Sequence, residues 1–139
     1  MSVYNAVNAG IYTMLQAGTA LTNLLSGTAA IYYQQAPDGA GLDYAVFSQQ
    51  AGGPDNITKR DTRNQLYFIR GYSMIGPAKA GSIDAQISTL LHRKAINVAG
   101  YANFWLARET DLSFVETAPN GNKVWMSGAL YRIRLSGSV

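Results

Sequence analysis

Glu109 and Asp111 stand two residues apart, and on a β-strand that spacing puts both carboxylates on one face, as an acid and base pair would need. Their surroundings argue against that chemistry. A hairpin register that joins Glu109 to Arg132 sets a guanidinium across from them, which keeps both ionised and offsets their repulsion. The group then reads as a cross-strand ion pair on a solvated face or as a subunit contact. An exposed pair is worth ~0–1 kcal/mol, so it serves specificity more than stability. The single histidine, His92, has no second histidine with which to share a zinc, and a helical wheel sets it on a solvated flank. There is no cysteine, which excludes disulfides, thiolate nucleophiles and thiolate metal sites. Gly39-Ala40-Gly41 lacks the strand, the helix and the Lys-Ser/Thr of a phosphate loop and reads as a turn. These residue types predict no catalytic group, no cofactor and no metal, and so no enzyme.

Nucleic-acid chemistry is little better supported. The net charge is +3, with one cluster at Lys59, Arg60 and Arg63 and no basic stripe. Nine tyrosines and two tryptophans are dispersed through strands without basic residues interleaved, so they read as core and interface packing, with Trp125 and Tyr131 as interface anchors. A small nucleic-acid-binding module stays open as an alternative, and it predicts affinity that falls steeply with salt.

The elements that would position these groups follow from periodicity. The 139 residues make one domain, 1–139, with a core burying roughly 70% of the unfolded surface. Val3, Val7, Ile11, Met14 and Leu15 predict an amphipathic helix from Ser2 to about Gln16, capped by Ser2 and ended by Gly18. A short helical turn with Leu21, Leu24 and Leu25 follows, then strands at 31–34 and 44–49. Residues 50–62 are polar, with two glycines beside Pro54, and predict an extended, mobile loop. A central strand at 63–73 and a helix from Pro77 to about Asn97 come next, the latter with Ala80, Ile83, Ile87, Leu90, Leu91 and Lys94 on one stripe. The last third predicts a long hairpin turning at Asn120-Gly121. If Ala118 faces Lys123, Phe114, Leu112, Thr110 and Leu106 line an apolar face, while Glu109 meets Arg132 and Ala107 meets Arg134 on a charged one. Arg108 breaks the pattern, either turned out by a bulge or buried along its stem. The expected fold is α+β: an antiparallel or mixed sheet of about five strands with two helices on one face. No basic leader and no apolar run of ~20 residues is present, so a soluble protein without membrane contact is expected. Only 14% of residues are charged, which suggests surface covered by partners.

The stretch from Arg108 to Thr117 (R-E-T-D-L-S-F-V-E-T), followed by Trp125 to Ile133 (W-M-S-G-A-L-Y-R-I), resembles the tail-terminator, or tail-completion, proteins of long-tailed phages and phage-like particles. The likeness extends to the N-terminal helix, Leu21 to Tyr33, Pro37 to Phe47 and Ala80 to Arg93. It implies a structural virion protein: a ring, usually a hexamer, that caps the tail tube, stops its polymerisation and joins the tail to the neck of the head. The implied partners are other copies of the chain, the tail-tube protein and a head-neck connector, with DNA only in passage through the lumen. The implied location is the neck end of the virion tail, with the host cytoplasm during assembly. On that reading Arg108, Glu109, Asp111, Trp125, Tyr131, Arg132 and Arg134 are subunit-contact candidates, and Lys59, Arg60 and Arg63 form a tube, neck or lumen loop. A head-completion or neck connector protein is the alternative within the same class.

Overall fold

A computed structural model describes residues 2–27, 30–37, 40–56, 61–117 and 120–137. Helix α1, Val3–Ala17, starts where Ser2 accepts a hydrogen bond from the Asn5 N–H at 3.1 Å, and buries Ala6, Val7, Ile11 and Leu15. Gly18 ends it, and the four-residue α2, Thr19–Thr22, follows with Leu21 buried. The third helix, α3 (Pro77–Leu91), carries proline in its first turn and buries Ala80, Ile83, Ile87 and Leu91. It stops at Leu91 rather than near Asn97, and Lys94 lies exposed beyond it. Arg93 adopts a left-handed φ of 59° and gives its N–H to the Leu106 carbonyl at 2.8 Å. The turn spends on β4 the backbone bonds a longer helix would have kept.

The strands are β1 (Ile31–Tyr33), β2 (Asp43–Pro54), β3 (Thr62–Ser73), β4 (Tyr101–Thr117) and β5 (Lys123–Gly137), in the order β1-β2-β3-β5-β4. Only the β1–β2 pair is parallel, so the sheet is mixed and the fold is α+β. Residues 50–54, expected in a mobile loop, instead extend β2. Gly52 pairs with Gln65 and Pro54 with Arg63 after a bulge at Gln50. Ladder bonds need no apolar side chains, and here Gln49 Nε2 also donates to Gln65 Oε1 across the strands at 2.8 Å. Ile57, Thr58, Lys59 and Arg60 lie outside the described residues.

All three helices cover one face of the sheet. Val7, Ile11, Leu15, Ile83, Ile87 and Leu91 meet Phe47, Tyr67, Ile69, Tyr131, Ile133 and Leu135 there in one core. A Cβ on Gly71 would stand 2.4 Å from Ile83 Cγ2, so the bare backbone at that position admits α3 onto β3. Among the described residues no helix lies on the opposite face.

The β4–β5 hairpin forms, but in another register from the expected one. Thr117, not Ala118, pairs with Lys123 across residues 118–122; Gly121 has the expected positive φ (85°), and Ala118 and Pro119 lie outside the described residues. Phe114 therefore faces Met126, Leu112 faces Gly128 and Thr110 faces Leu130. Bulges at Glu109 and at Phe104 shift the register again, so Arg108 pairs with Tyr131 and Leu106 with Ile133. A slip of one residue exchanges the faces. Leu106 reaches the core, whereas Leu112 and Phe114 lie on the helix-free face and are exposed.

Candidate functional site

The bulge at Glu109 sets up a polar cluster around Arg108. Arg108 turns toward α3, where Nη1 and Nη2 donate to the Asp84 oxygens at 2.8 and 2.7 Å, while Nε donates to Asp111 Oδ1 at 2.6 Å. Ser127 Oγ donates to Asp84 Oδ2 at 3.1 Å, and Arg108 also contacts the Tyr131 hydroxyl at 3.3 Å. The Arg108 and Asp84 side chains are only 18% and 10% exposed. The bidentate carboxylate raises the Arg108 pKa above its ordinary value against the opposing effect of burial, so the guanidinium stays charged. Its role is to clamp the hairpin to α3. His92 belongs to the same clamp: its Nδ1 accepts the Arg108 backbone N–H at 3.0 Å, so it caps the edge of β4 and is not the solvated flank residue expected.

The helix-free face has two regions. One end is charged. Arg132 donates to Glu109 at 3.2 Å and to Asn64 at 3.0 Å, while Arg134 meets Asp55 at 3.3 Å and lies over the Phe104 ring. The other end is aromatic and apolar, with Tyr44 stacked on Tyr72 at 5.1 Å and Met126 and Phe114 continuing the row. Between them lies Arg70, 9% exposed, over the Phe68 ring at 4.4 Å and bonded to Ser48 Oγ, the Tyr72 hydroxyl and the Phe68 carbonyl. No carboxylate among the described residues forms an ion pair with it. Tyr44 of β2 and Glu116 of β4 line the cleft above it, so the sheet curls over its own open face.

A third surface follows the outer edge of the sheet. β4 pairs only with β5, and residues 109–117 are all exposed. No Lys or Pro blunts this run, the usual protection of an edge strand. At the other end of β4, Phe104 and Trp105 stand 54% and 49% exposed beside Arg93 and Lys94, around a cleft of about 500 Å³.

The predicted residues thus divide. Glu109, Arg132 and Arg134 share the charged end of the open face, and Trp125 lies half-buried in a groove with Pro77 and Val115. Asp111 remains 82% exposed while bound to Arg108. Tyr131 cannot serve as an interface anchor in the folded chain, because it is fully buried in the core, and Arg108 spends its guanidinium within the chain. Arg63 pairs with Asp61 at 2.9 Å, and Asp61 also accepts from the Tyr101 hydroxyl at 2.8 Å. Asp84, Arg70 and the Arg93–Trp105 cleft are not among the residues that motif and spacing single out. Asp84 was detectable, since an acid beside Ile83 falls on the apolar stripe of α3. Among the described residues no group of three His, Asp or Glu could hold a metal ion, and no helix is long and apolar enough to cross a membrane.

Comparison with known proteins places these surfaces in context. The sequence model of the family described as "Tail completion protein gp17" matches residues 9–126. Among solved structures, a chain from "Virion of native gene transfer agent (GTA) particle" superposes with a TM-score of 0.80 at 17% identity, covering 98% of each chain. At that identity the likeness shows the fold. No curated protein matches by sequence.

Proposed function

The chain belongs to the tail completion protein family, and from that premise we propose that it forms a hexameric ring that caps the tail tube, stops tube polymerisation and joins the tail to the neck of the head. Its role is structural and its place is the virion tail. The family match over residues 9–126 is the observation that carries the reading. Two features of the fold support it. Among the described residues one sheet face has no helical layer, and the long β4 edge is unpaired and unprotected over nine consecutive exposed residues, 109–117. Neither feature suits a free-standing enzyme, and both suit a protein whose surface is completed by neighbours. In this reading Glu109, Asp111, Trp125, Arg132 and Arg134 offer contacts to other copies, the tube protein or the neck connector, and DNA passes through the lumen. Arg63, paired with Asp61, belongs with Lys59 and Arg60 to the segment this reading assigns to the tube, neck or lumen.

Electron microscopy of particles lacking the chain tests this. Overlong tubes detached from DNA-filled heads are expected. Tails of normal length beside heads that leak DNA would move the protein to the head side of the joint, and intact infectious particles would refute a neck role.

A further inference from the structure

We propose that the tip of the β4–β5 hairpin of one copy seats in the Arg93–Trp105 cleft of the next, head to tail, so that each chain supplies both halves of one repeated contact. The inference rests on the ring reading above and names the surfaces that build the ring.

Among the described residues seven large hydrophobic side chains are more than a third exposed, and five of them lie on β4 in two groups. Phe104 and Trp105 form one group, at the cleft with Arg93 and Lys94. Leu112 and Phe114 form the other, on the open face of the tip, 37% and 45% exposed, with Val115, 51% exposed, on the opposite face of the same strand. The charges that accompany the groups are opposite. Neither Arg93 nor Lys94 is in an ion pair among the described residues, and Glu116 at the tip has no cationic partner either. Asp111 and Glu109 are already held by Arg108 and Arg132, so Glu116 is the acid the tip has to offer; Arg70 lines the same cleft as Glu116 without an ion pair to it, and Lys123 stands across from Thr117 on β5. An apolar tip beside one acid without an ion pair, Glu116, therefore meets an apolar cleft beside two bases without one, Arg93 and Lys94. Burial of the side chains supplies the attraction, and the exposed charges select partner and register.

A two-fold pairing of two β4 edges would also bring the groups together, but the middle of that edge is occupied. The Leu106 carbonyl accepts from Arg93 N–H, and the Arg108 N–H donates to His92 Nδ1. Two copies cannot run edge to edge past this cap. The remaining arrangement is heterologous, which closes into a ring when its rotation permits. The β5 partners of Trp105 and Phe114, Arg134 and Met126, are eight residues apart, about 27 Å, so a six-membered ring built on this step sets its contacts on a circle about 54 Å across.

The chain has no cysteine, so a Lys94→Cys, Glu116→Cys double variant carries the only thiols. In tails assembled with this variant and oxidised, a non-reducing gel should show a ladder of covalent multimers rising to the complete ring. Either single variant should stop at monomer or dimer. In the unmodified background, Glu116→Lys should lower the assembled fraction at least tenfold, and adding Arg93→Glu and Lys94→Glu to the same chain should restore it. Rings visible by electron microscopy that give no ladder, with charge reversal silent, overturn the contact and leave the ring reading intact. A ladder that ends at dimer overturns the head-to-tail arrangement. Tails in which the chain forms no ring at all overturn the ring reading and this contact together.

Discussion

Asp84→Asn should cost the fold about 3 kcal/mol, the low end of the ~3–5 kcal/mol lost when one partner of a buried ion pair is removed. The low end applies for two reasons. Asn keeps an acceptor near Arg108, and Asp111 still holds Arg108 Nε at 2.6 Å. What is lost is the second charged bond of the bidentate pair at 2.7–2.8 Å, in a site where the two side chains are 18% and 10% exposed. With an unfolding entropy of about 2.1 cal/mol/K per residue over 139 residues, 3 kcal/mol corresponds to a Tm lower by about 10 °C. Thermal unfolding followed by circular dichroism, at one protein concentration so that assembly does not shift the midpoint, measures this. A drop below about 3 °C, or about 1 kcal/mol, would refute the clamp as a stabilising element. The paired replacement Asp84→Leu with Arg108→Met separates a missing partner from a missing charge. It should recover most of the loss, because apolar residues of similar volume replace a buried pair at little cost.

Three further outcomes follow from the geometry. The Asp61 carboxyl is held below the usual carboxylate range, first by the Tyr101 hydroxyl and then by Arg63, so Tyr101→Phe should move its titration back up toward 3.8 by NMR, and an unchanged titration would reject that cause. Because this folded-state value is depressed, the stabilisation it brings is complete above the unfolded value and is lost as pH falls through the folded one. Burial pushes the Tyr67 and Tyr131 hydroxyls above the ordinary tyrosine value, so in an alkaline absorbance titration these two of the nine tyrosines should ionise only with unfolding; nine titrating together near pH 10 would contradict their burial. Here the neutral form is favoured, so the stabilisation is complete below the unfolded tyrosine value and lost as pH rises. Gly71→Ala should destabilise by about 1–3 kcal/mol in urea unfolding, because its Cβ would stand 2.4 Å from Ile83 Cγ2 and force α3 off the sheet; a neutral result would mean that the helix has room to shift.

The helices were legible because their apolar residues recur at helical spacing and their starts carry a cap at Ser2 and a proline at Pro77. The far half of β2 was not, since Gln50 to Pro54 pairs through its backbone while its side chains carry the composition of a loop. The hairpin was legible as an element and not in its register. Asn120-Gly121 marks a turn, but nothing in the side chains says whether the turn takes four residues or the five of 118–122, nor that Glu109 and Phe104 bulge. The Arg93–Trp105 cleft depends on α3 stopping at Leu91, which the apolar stripe continuing through Lys94 conceals. Arg70 was hidden differently: it follows the apolar run Leu66 to Ile69, where a guanidinium stacked on Phe68 is indistinguishable in sequence from a strand-end charge.

The extra residue at Glu109 links the stability of this fold to its surface. Before the bulge, the even-numbered residues Leu106 and Arg108 face the helices; after it, the even-numbered Leu112, Phe114 and Glu116 face away from them. An unbroken strand would have turned Leu112 and Phe114 toward α3, where they would extend the core, and left Asp111 and Ser113 on the open face. The bulge gives up that burial and displays the apolar residues at the tip instead. Such a display is costly in a free monomer unless something fixes it, and Arg108 does so at the residue before the bulge, tied to Asp84 on one side and Asp111 on the other. One clamp therefore holds the strand on the core up to the switch and orients the exposed tip beyond it. Apolar area withheld from the core in this way is left available to a partner surface, and the proposed head-to-tail contact would bury it.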